Sequence, residues 1–299
     1  ENVGGKNWRP VSSLFFAVEY RLFGPNPFGF HFASILLHLI NIVLVYLLIV
    51  KITTRKGIAL AVVSLWALHP TLTEAVSWVS NQSSLIFLGF FLLAILALLK
   101  ERFWVAYLFF GLSLLSKETA LGGIFIIPFI FLIDAEWREK INFRKILINS
   151  YPFVLIGLIY FYIHYKILGA LGDHALRGSF WENFLLAPAV FYKYISLAFY
   201  PVNLLLDYSN FPLPSGIFDL RVIMGILGFI ILLVLFYLGL KKSRFNFSFG
   251  IIWFLAFLSP VLQIIPFQDI VGERFLYAPL AGFFLALILG LNNLLAYAK

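Results

Sequence analysis

Long apolar runs separated by short polar loops constrain this chain more than any other feature of its sequence. Hydropathy and breaker residues predict helices at about 31–50, 57–69, 83–99, 103–116, 119–134, 146–168, 184–200, 221–240, 247–265 and 275–297. Hydrophobic residues make up 62% of the chain and charged residues 12%, whereas a soluble domain carries about 25% charged residues. The sequence therefore predicts an all-α, polytopic transmembrane bundle of about 9–10 membrane helices, forming a single domain over residues 1–299.

Basic residues cluster in alternate loops between the predicted helices. They are Lys51, Arg55, Lys56, Lys100, Arg102, Arg138, Lys140, Arg144, Lys145, Lys241, Lys242 and Arg244. Because basic loops stay on the cytoplasmic side, the intervening loops are expected to face outward. The net charge of +8 is then topological and does not indicate a nucleic-acid partner. Residues 184–200 break the alternation, so we expect this segment to lie along the interface or to re-enter the membrane.

The absence of cysteine excludes disulfides, thiolate metal sites and cysteine nucleophiles. Carboxylates and histidines do not cluster at metal-ligand spacing, so neither a metal nor a cofactor is expected. The chain begins with Glu1 rather than Met, and we interpret it as a piece of a longer protein, cut at both ends.

Several predicted helices are too short for a bilayer, since about 20 residues are needed to span about 30 Å. The outward turns after 57–69 and between 103–116 and 119–134 are therefore expected below the lipid headgroups. Polar backbone at that depth needs protein or a water-filled cavity around it. The prediction is an outward-facing recess flanked by His69, Glu74, Lys117 and Glu118.

A polar stripe runs along the first predicted helix. His31, Ser34, His38 and Asn41 follow steps of three and four residues, which places them on one helix face. The stripe serves either interhelical hydrogen bonding, which is favoured, or a direct ligand or proton-relay role.

The charged motifs leave similar alternatives open. Glu74 is either a general base or a favourable charge in the first turn of a short helix. Lys117 has no such structural explanation, and a basic group in an outward recess suits a phosphate. Glu273 and Arg274 form either an interfacial anchor or, through the Arg274 fork, a phosphate site.

Four motifs together resemble a known family. The stretch "NWRPVSSLFFAVEYRLFGPNPFGFHFASILLHLINIVLVYLL" is followed in order by "ALHPTLTEAVSWVS", "LLSKE" and "GERFLYAPLAGF". This order is similar to that of the TMTC family, membrane O-mannosyltransferases with tetratricopeptide repeats, and of its bacterial relatives. The matching residues of the first stretch are Arg9, Pro10, Asn26, Pro27, Gly29, Phe30, His31, His38, Asn41 and Tyr46.

The resemblance implies an inverting glycosyltransferase of the GT-C type, with a polyprenyl-phosphate-linked sugar such as mannose as donor substrate. The acceptor would be a hydroxyl, such as a protein Ser or Thr, on the outer face. On this basis we expect Arg274 and Lys117 to bind the phosphate, and Glu74 and Glu118 to position acceptor or sugar. The substrate site would also include Arg9, His69, Glu273 and Tyr277, and its cavity wall His31, His38 and Asn41.

The chain departs from the family pattern in two places. The acidic pair of the family precedes the "YRP" stretch, so the main base is expected upstream of Arg9. The second histidine of the family falls at Leu72, and the "GR.D" that follows "WVS" in the family is replaced by Asn81, Gln82, Ser83 and Ser84. Because of these departures, a catalytically inactive scaffold of the same fold is one alternative function. A membrane transporter or lipid flippase is another. The lack of cysteine and the richness in Phe and Ile favour a bacterial inner membrane over the endoplasmic reticulum.

Overall fold

The computed structural model describes residues 8–133, 143–168, 180–264 and 269–297. These residues form helices and contain no β-strand. The helices are α1 (Pro10–Phe23), α2 (Pro27–Thr53), α3 (Lys56–Ala67), α4 (Leu72–Ser77), α5 (Gln82–Leu98), α6 (Phe103–Ser116), α7 (Gly123–Ile133), α8 (Phe143–Leu168), α9 (Phe180–Phe199), α10 (Leu220–Lys241), α11 (Phe245–Leu258) and α12 (Pro279–Tyr297). Short 3₁₀ turns occupy Val79–Asn81, Glu118–Gly122, Ser259–Val261 and Glu273–Leu276. The all-α prediction is confirmed.

Helix α1 is absent from the hydropathy prediction. Pro10 at its first turn begins the helix, because the ring fixes a helical φ and the missing N–H needs no partner there. Gly24, with a φ of +61°, ends it. The helix was missed because its charged and polar residues lower its hydropathy below that of a membrane segment.

Two other helix starts differ from the prediction. Helix α2 begins at Pro27, because Asn26 caps it by accepting a hydrogen bond from the N–H of Phe28 at 3.0 Å. Helix α12 begins at Pro279 rather than 275, since the preceding residues form the Glu273–Leu276 turn. Some predictions fall outside the described residues. They are Glu1, the loop residues Arg138 and Lys140, and the predicted helix ends at 134 and 265.

Within the described ranges, four helical segments are long and apolar enough to cross a membrane: α2, Val79–Leu98, α8 and α10. Most of the Val79–Leu98 segment, 78%, is buried inside the bundle, against 17% for α10, so α5 is the central helix and α10 a peripheral one. Helices α3, α6 and α7 are shorter, as the sequence predicts for 57–69, 103–116 and 119–134. Helix α9, which contains most of 184–200, packs on α10, but its interfacial or re-entrant orientation stays a prediction.

Two buried indoles fix the backbone just before α12. The Nε1–H of Trp66 in α3 donates to the carbonyl of Tyr277 at 2.8 Å, and the Nε1–H of Trp253 in α11 donates to that of Ala278 at 2.8 Å. Because both rings are buried, these hydrogen bonds are shielded from competing water. They hold the Glu273–Leu276 turn, with its charged residues, against the core.

Candidate active site

Four sequence motifs meet at one end of the bundle. The structure brings together the side chains of Arg9, Glu74, Lys117, Glu118 and Arg274, which come from four separate parts of the chain. Each of these residues lies outside the helices that could span a membrane. The convergence results from the packing of α5 against α2 and α6, and of α4 against the Glu273–Leu276 turn.

Arg9 and Glu118 form a bidentate ion pair. The Nε of Arg9 donates to Oε2 of Glu118 at 2.9 Å, and Nη2 donates to Oε1 at 2.5 Å. Burial by itself lowers the pKa of Arg9, but the Glu118 carboxylate outweighs it and raises the pKa above its usual value. The ring of Trp8 stacks on Tyr160 with centroids 6.0 Å apart, which holds this part of the chain against α8. The carboxylate of Glu118 is thus fixed, and it is better suited to orient a group than to take a proton.

Lys117 differs from the two arginines because its hydrogen-bond partners are neutral. Its side chain is 2% exposed, and its Nζ donates to Oγ of Ser84 at 2.6 Å and to Oδ1 of Asn81 at 3.3 Å. The Nζ also lies 5.3 Å from the centre of the Phe275 ring. No carboxylate forms an ion pair with Lys117 within the described part of the chain. Burial, and then the charge of Arg9, lowers the pKa of Lys117 well below its usual value.

Arg274 is enclosed by two carboxylates and two rings. Its Nη1 pairs with Oε1 of Glu74, and its backbone N–H donates to Oε2 of the same side chain at 2.7 Å. Its Nη2 donates to Oδ2 of Asp269 at 2.5 Å, and the guanidinium lies 4.8 Å from the ring centres of both Trp78 and Phe275. The fork that the sequence suggests for a phosphate is therefore engaged by Glu74 and Asp269.

Glu273 faces a different loop from Arg274. Its Oε1 accepts hydrogen bonds from the hydroxyl of Tyr208 and from the N–H of Leu205, both at 2.8 Å. Burial raises the pKa of Glu273. The carboxylate fastens the loop after α9 to the Glu273–Leu276 turn, and its expected place in the substrate site stays a prediction.

The polar stripe of α2 connects this helix to α5 and to Tyr277, which lies just before α12. Asn41 donates from Nδ2 to the carbonyl of Leu85 at 2.9 Å and to the hydroxyl of Tyr277 at 3.1 Å. His38 Nδ1 lies 2.9 Å from the same hydroxyl, and Ser34 accepts a hydrogen bond from Gln82 at 3.0 Å. These contacts match the interhelical hydrogen bonding that the sequence favours.

His31 and His69 are the other two histidines that the sequence predicts for the site. His31 is exposed on α2. His69 is buried, with Nδ1 2.8 Å from Oγ1 of Thr71 and its ring 5.5 Å from that of Phe284. The cavity-wall role of His31, His38 and Asn41 and the substrate role of His69 and Tyr277 stay predictions.

A recess lies between Lys117 and Arg274. It is lined by Ser84, Phe87, Lys117, Thr119, Phe257, Arg274, Phe275, Ala278 and Pro279. Two cations and two hydroxyls thus border a mainly apolar wall. Among the described residues, no group of three or more His, Asp or Glu side chains could hold a metal ion. The recess therefore brings positive charge, hydroxyl groups and apolar surface together.

Sequence reasoning missed three residues of this site. Asp269 lies five residues before Arg274, a spacing that could have suggested a local ion pair. Asn81 and Ser84 were noted only as departures from the family pattern, whereas here they surround Lys117. Their polar character next to an apolar helix was the available signal.

Comparison with known proteins identifies the family. The family model described as dolichyl-phosphate-mannose-protein mannosyltransferase matches residues 8–165, just over half of the chain. The chain belongs to this family. Among curated relatives, a Caenorhabditis elegans protein O-mannosyl-transferase is 28% identical over 296 residues, which cover 93% of this mannosyltransferase-family chain and 41% of the relative. No solved structure matches the chain with significance.

Two mammalian relatives show the same relationship. Mouse protein O-mannosyl-transferase TMTC4 is 28% identical over an alignment of 362 positions, which covers 100% of this chain and 49% of the relative. Human protein O-mannosyl-transferase TMTC1 is 37% identical over 98 residues, which cover 32% of this chain and 11% of the relative. The chain therefore spans less than half the length of these relatives. Together with its apolar helices, the relationship identifies it as part of a multi-pass membrane protein.

Proposed function

We propose that this chain forms the membrane part of a GT-C glycosyltransferase that moves mannose, or a similar hexose, from a polyprenyl-phosphate carrier to a protein Ser or Thr hydroxyl. Relatives that are named protein O-mannosyl-transferases support the reaction class. The alternation of basic loops supports a site on the outer face. The absence of cysteine and the abundance of Phe favour a bacterial inner membrane.

One observation carries the proposal: the Lys117 amine is buried beside an apolar recess, and among the described residues its hydrogen-bond partners are neutral. A buried cation is costly unless a counter-ion reaches it. The phosphate of a lipid-linked sugar supplies that counter-ion, while the Phe87, Phe257 and Phe275 side chains contact the first part of its apolar chain. Arg274, next to the recess, adds positive potential, although its nitrogens bind Glu74 and Asp269.

The reaction proceeds by displacement at the anomeric carbon of the sugar. The acceptor oxygen forms a bond to this carbon, and the bond from the carbon to the phosphate oxygen breaks. The bonding electrons leave with the carrier phosphate, whose charge Lys117 stabilises, and the hydroxyl proton passes to a general base. Attack from the face opposite the leaving group inverts the anomeric centre. Because arginines hold Glu74 and Glu118, these two orient sugar or acceptor, and we place the base upstream of Arg9.

A transfer assay tests the proposal. The full-length protein is incubated with radiolabelled polyprenyl-phosphate mannose and an acceptor protein, and label in the acceptor is counted for wild type, Lys117→Ala and Arg274→Ala. Lys117→Ala is expected to slow transfer about 10- to 100-fold, since a hydrogen bond to a charged group contributes about 1.5–3 kcal/mol. Arg274→Ala is expected to slow it as well. Lys100→Ala, at an exposed loop lysine, serves as the matched control and is expected to be neutral.

Three results would remove the proposal. Wild-type transfer by both site variants, at normal expression, would show that neither cation serves the phosphate. Failure of wild type to transfer sugar from any lipid carrier, combined with movement of such a carrier across vesicles, would favour a transporter. Failure of both activities would leave an inactive scaffold.

A further inference from the structure

Two buried hydrogen-bond donors lie beside Lys117 without an acceptor among the described residues. Asn81 is 4% exposed and Thr119 is 5% exposed, and neither the Nδ2 of Asn81 nor the Oγ1 of Thr119 has a hydrogen-bond partner in the part of the chain that the structure describes. Leaving such a group buried and unpaired costs about 1–3 kcal/mol. A ligand that presents acceptor oxygens at this place would recover that cost.

The neighbouring contacts determine which atoms of Asn81 are free. Its Oδ1 accepts from Oγ of Ser84 at 3.0 Å and from Nζ of Lys117 at 3.3 Å. Because both of these neighbours are donors, the amide oxygen faces them and the amide nitrogen remains for another acceptor. Thr119 lines the recess directly, next to the same lysine.

The first turn of α5 adds to the preference for an anion. Asn81 occupies the N-cap position, but its side chain does not cap a backbone N–H of the helix. The amide oxygen is used by Lys117 and Ser84 instead. The partial positive charge of this helix end adds to the charge of Lys117, while the N–H groups of Asn81 and Gln82 bond to carbonyls of the turn that leads into the helix.

We propose that Asn81 and Thr119, together with Lys117, bind the non-bridging oxygens of a lipid-linked phosphate, and that Ser84 holds Lys117 in place without neutralising it. The inference rests on the proposed function, because it assigns phosphate-binding residues to the same donor site. The three groups supply an amide donor, a hydroxyl donor and a charged donor, whereas a phosphate has acceptors only. The apolar lining of the recess selects a phosphate attached to a hydrocarbon chain.

Binding of farnesyl phosphate, a short polyprenyl phosphate, tests the role of Thr119. The full-length protein in nanodiscs is titrated, and Kd is measured for wild type, Thr119→Val and Thr119→Ser. Thr119→Val keeps the shape of the side chain but removes the donor, and its Kd is expected to rise about tenfold. Thr119→Ser keeps the hydroxyl and is expected to stay within about twofold of wild type. Equal Kd values for all three proteins, with unchanged thermal stability, would overturn the assignment.

Substitution of Ser84 tests the charge of the site independently. Ser84→Asp places a carboxylate next to the Lys117 ammonium, so the Kd for farnesyl phosphate is expected to rise at least about tenfold. Ser84→Asn is the matched control of similar size without charge, and its Kd is expected to rise less. If Thr119→Val fails to fold, the comparison of Ser84→Asp with Ser84→Asn still tests whether this site binds a phosphate. If Ser84→Asp bound farnesyl phosphate as tightly as wild type, the charge of Lys117 would not contribute to binding, and the assignment would be wrong.

Competition experiments distinguish the source of the phosphate. Inorganic phosphate and phosphatidylglycerol are added separately to the farnesyl phosphate titration. Weak competition by both supports a polyprenyl phosphate, whereas displacement by either at the same concentration as farnesyl phosphate overturns that part of the proposal. Binding that is lost in Thr119→Val and Ser84→Asp supports the inference even where the transfer assay gives no product. Transfer by wild type with unchanged variants overturns the inference but keeps the proposed function.

Discussion

At the scale of single residues, the three cations of the site differ in their counter-ions. Arg9 is paired with Glu118, and Arg274 with Glu74 and Asp269, whereas Lys117 has a hydroxyl and an amide oxygen. Removing one partner of a buried ion pair leaves the other charge uncompensated. Arg9 and Arg274 are thus needed for the architecture of the site, and Lys117 is the cation whose charge is available to a ligand.

The lowered pKa of Lys117 predicts how donor binding depends on pH. Burial, and then Arg9, lowers this pKa well below the 10.5 of an ordinary lysine. The ammonium therefore loses its charge at a lower pH, and a bound phosphate, which stabilises the charged form, raises the pKa again. The affinity for farnesyl phosphate is expected to fall as the pH rises above the lowered pKa. Titrations from about pH 7 to pH 10, where the phosphate is doubly ionised, measure this limit.

Lys117→Arg provides the control for the pH dependence. Arginine keeps its charge throughout that range, so the alkaline loss of affinity is expected to disappear or to move upward. The same alkaline limit in wild type and in Lys117→Arg would show that a group other than Lys117 titrates. Thermal denaturation at each pH shows whether the protein is still folded. Affinities are compared only where it is, which separates the titration of Lys117 from unfolding.

At the scale of elements, close packing sets the position of the turn that carries Glu118. Gly122 ends the Glu118–Gly122 turn, and a Cβ atom there would lie 2.2 Å from the carbonyl oxygen of Ala256 in α11. Only a residue without a side chain allows this approach of the two backbones. The turn, and with it Lys117, is positioned by a contact with α11 rather than by its own sequence.

Gly122→Ala is therefore expected to impair the site without changing its chemistry. The added methyl group forces the turn away from α11, with a destabilisation of about 1–3 kcal/mol from overpacking. Transfer activity and the affinity for farnesyl phosphate are both expected to fall. Gly111→Ala, in α6, is the control, because a Cβ atom there meets nothing within 4 Å. Equal melting temperatures and activities for the two variants would contradict this account of the turn.

At the scale of the whole molecule, the arrangement of basic loops predicts which end of the bundle faces outward. Helix α3 has Lys56 at its start and leads to the α4 segment with Thr73, and both side chains are exposed. Since the chain has no cysteine, a single introduced cysteine reports on its own position. Thr73→Cys is expected to react with a membrane-impermeant maleimide in intact cells, and Lys56→Cys only after permeabilisation. Reaction of both from the same side, or the reverse pattern, would overturn the predicted orientation.

Much of the fold was predictable because hydropathy is a local property. The predicted segments 83–99, 103–116 and 221–240 agree with α5, α6 and α10 to within a residue or so at each end. The starts of α2 and α12 were predicted less well, because Asn26 capping and the Glu273–Leu276 turn depend on side-chain and tertiary contacts. Helix α1 was missed, since its polar residues hide it from a hydropathy criterion.

The sequence by itself determined an apolar all-α chain, alternating basic loops, and four ordered motifs that carry the acidic and basic residues of the site. The tertiary structure alone decided how those charges pair. Glu118 lies 109 residues from Arg9, and Glu74 lies 200 residues from Arg274, so no local pattern relates the partners. Charge pairing depends on distance in space, which helix packing sets, and this packing leaves Lys117 with neutral partners among the described residues.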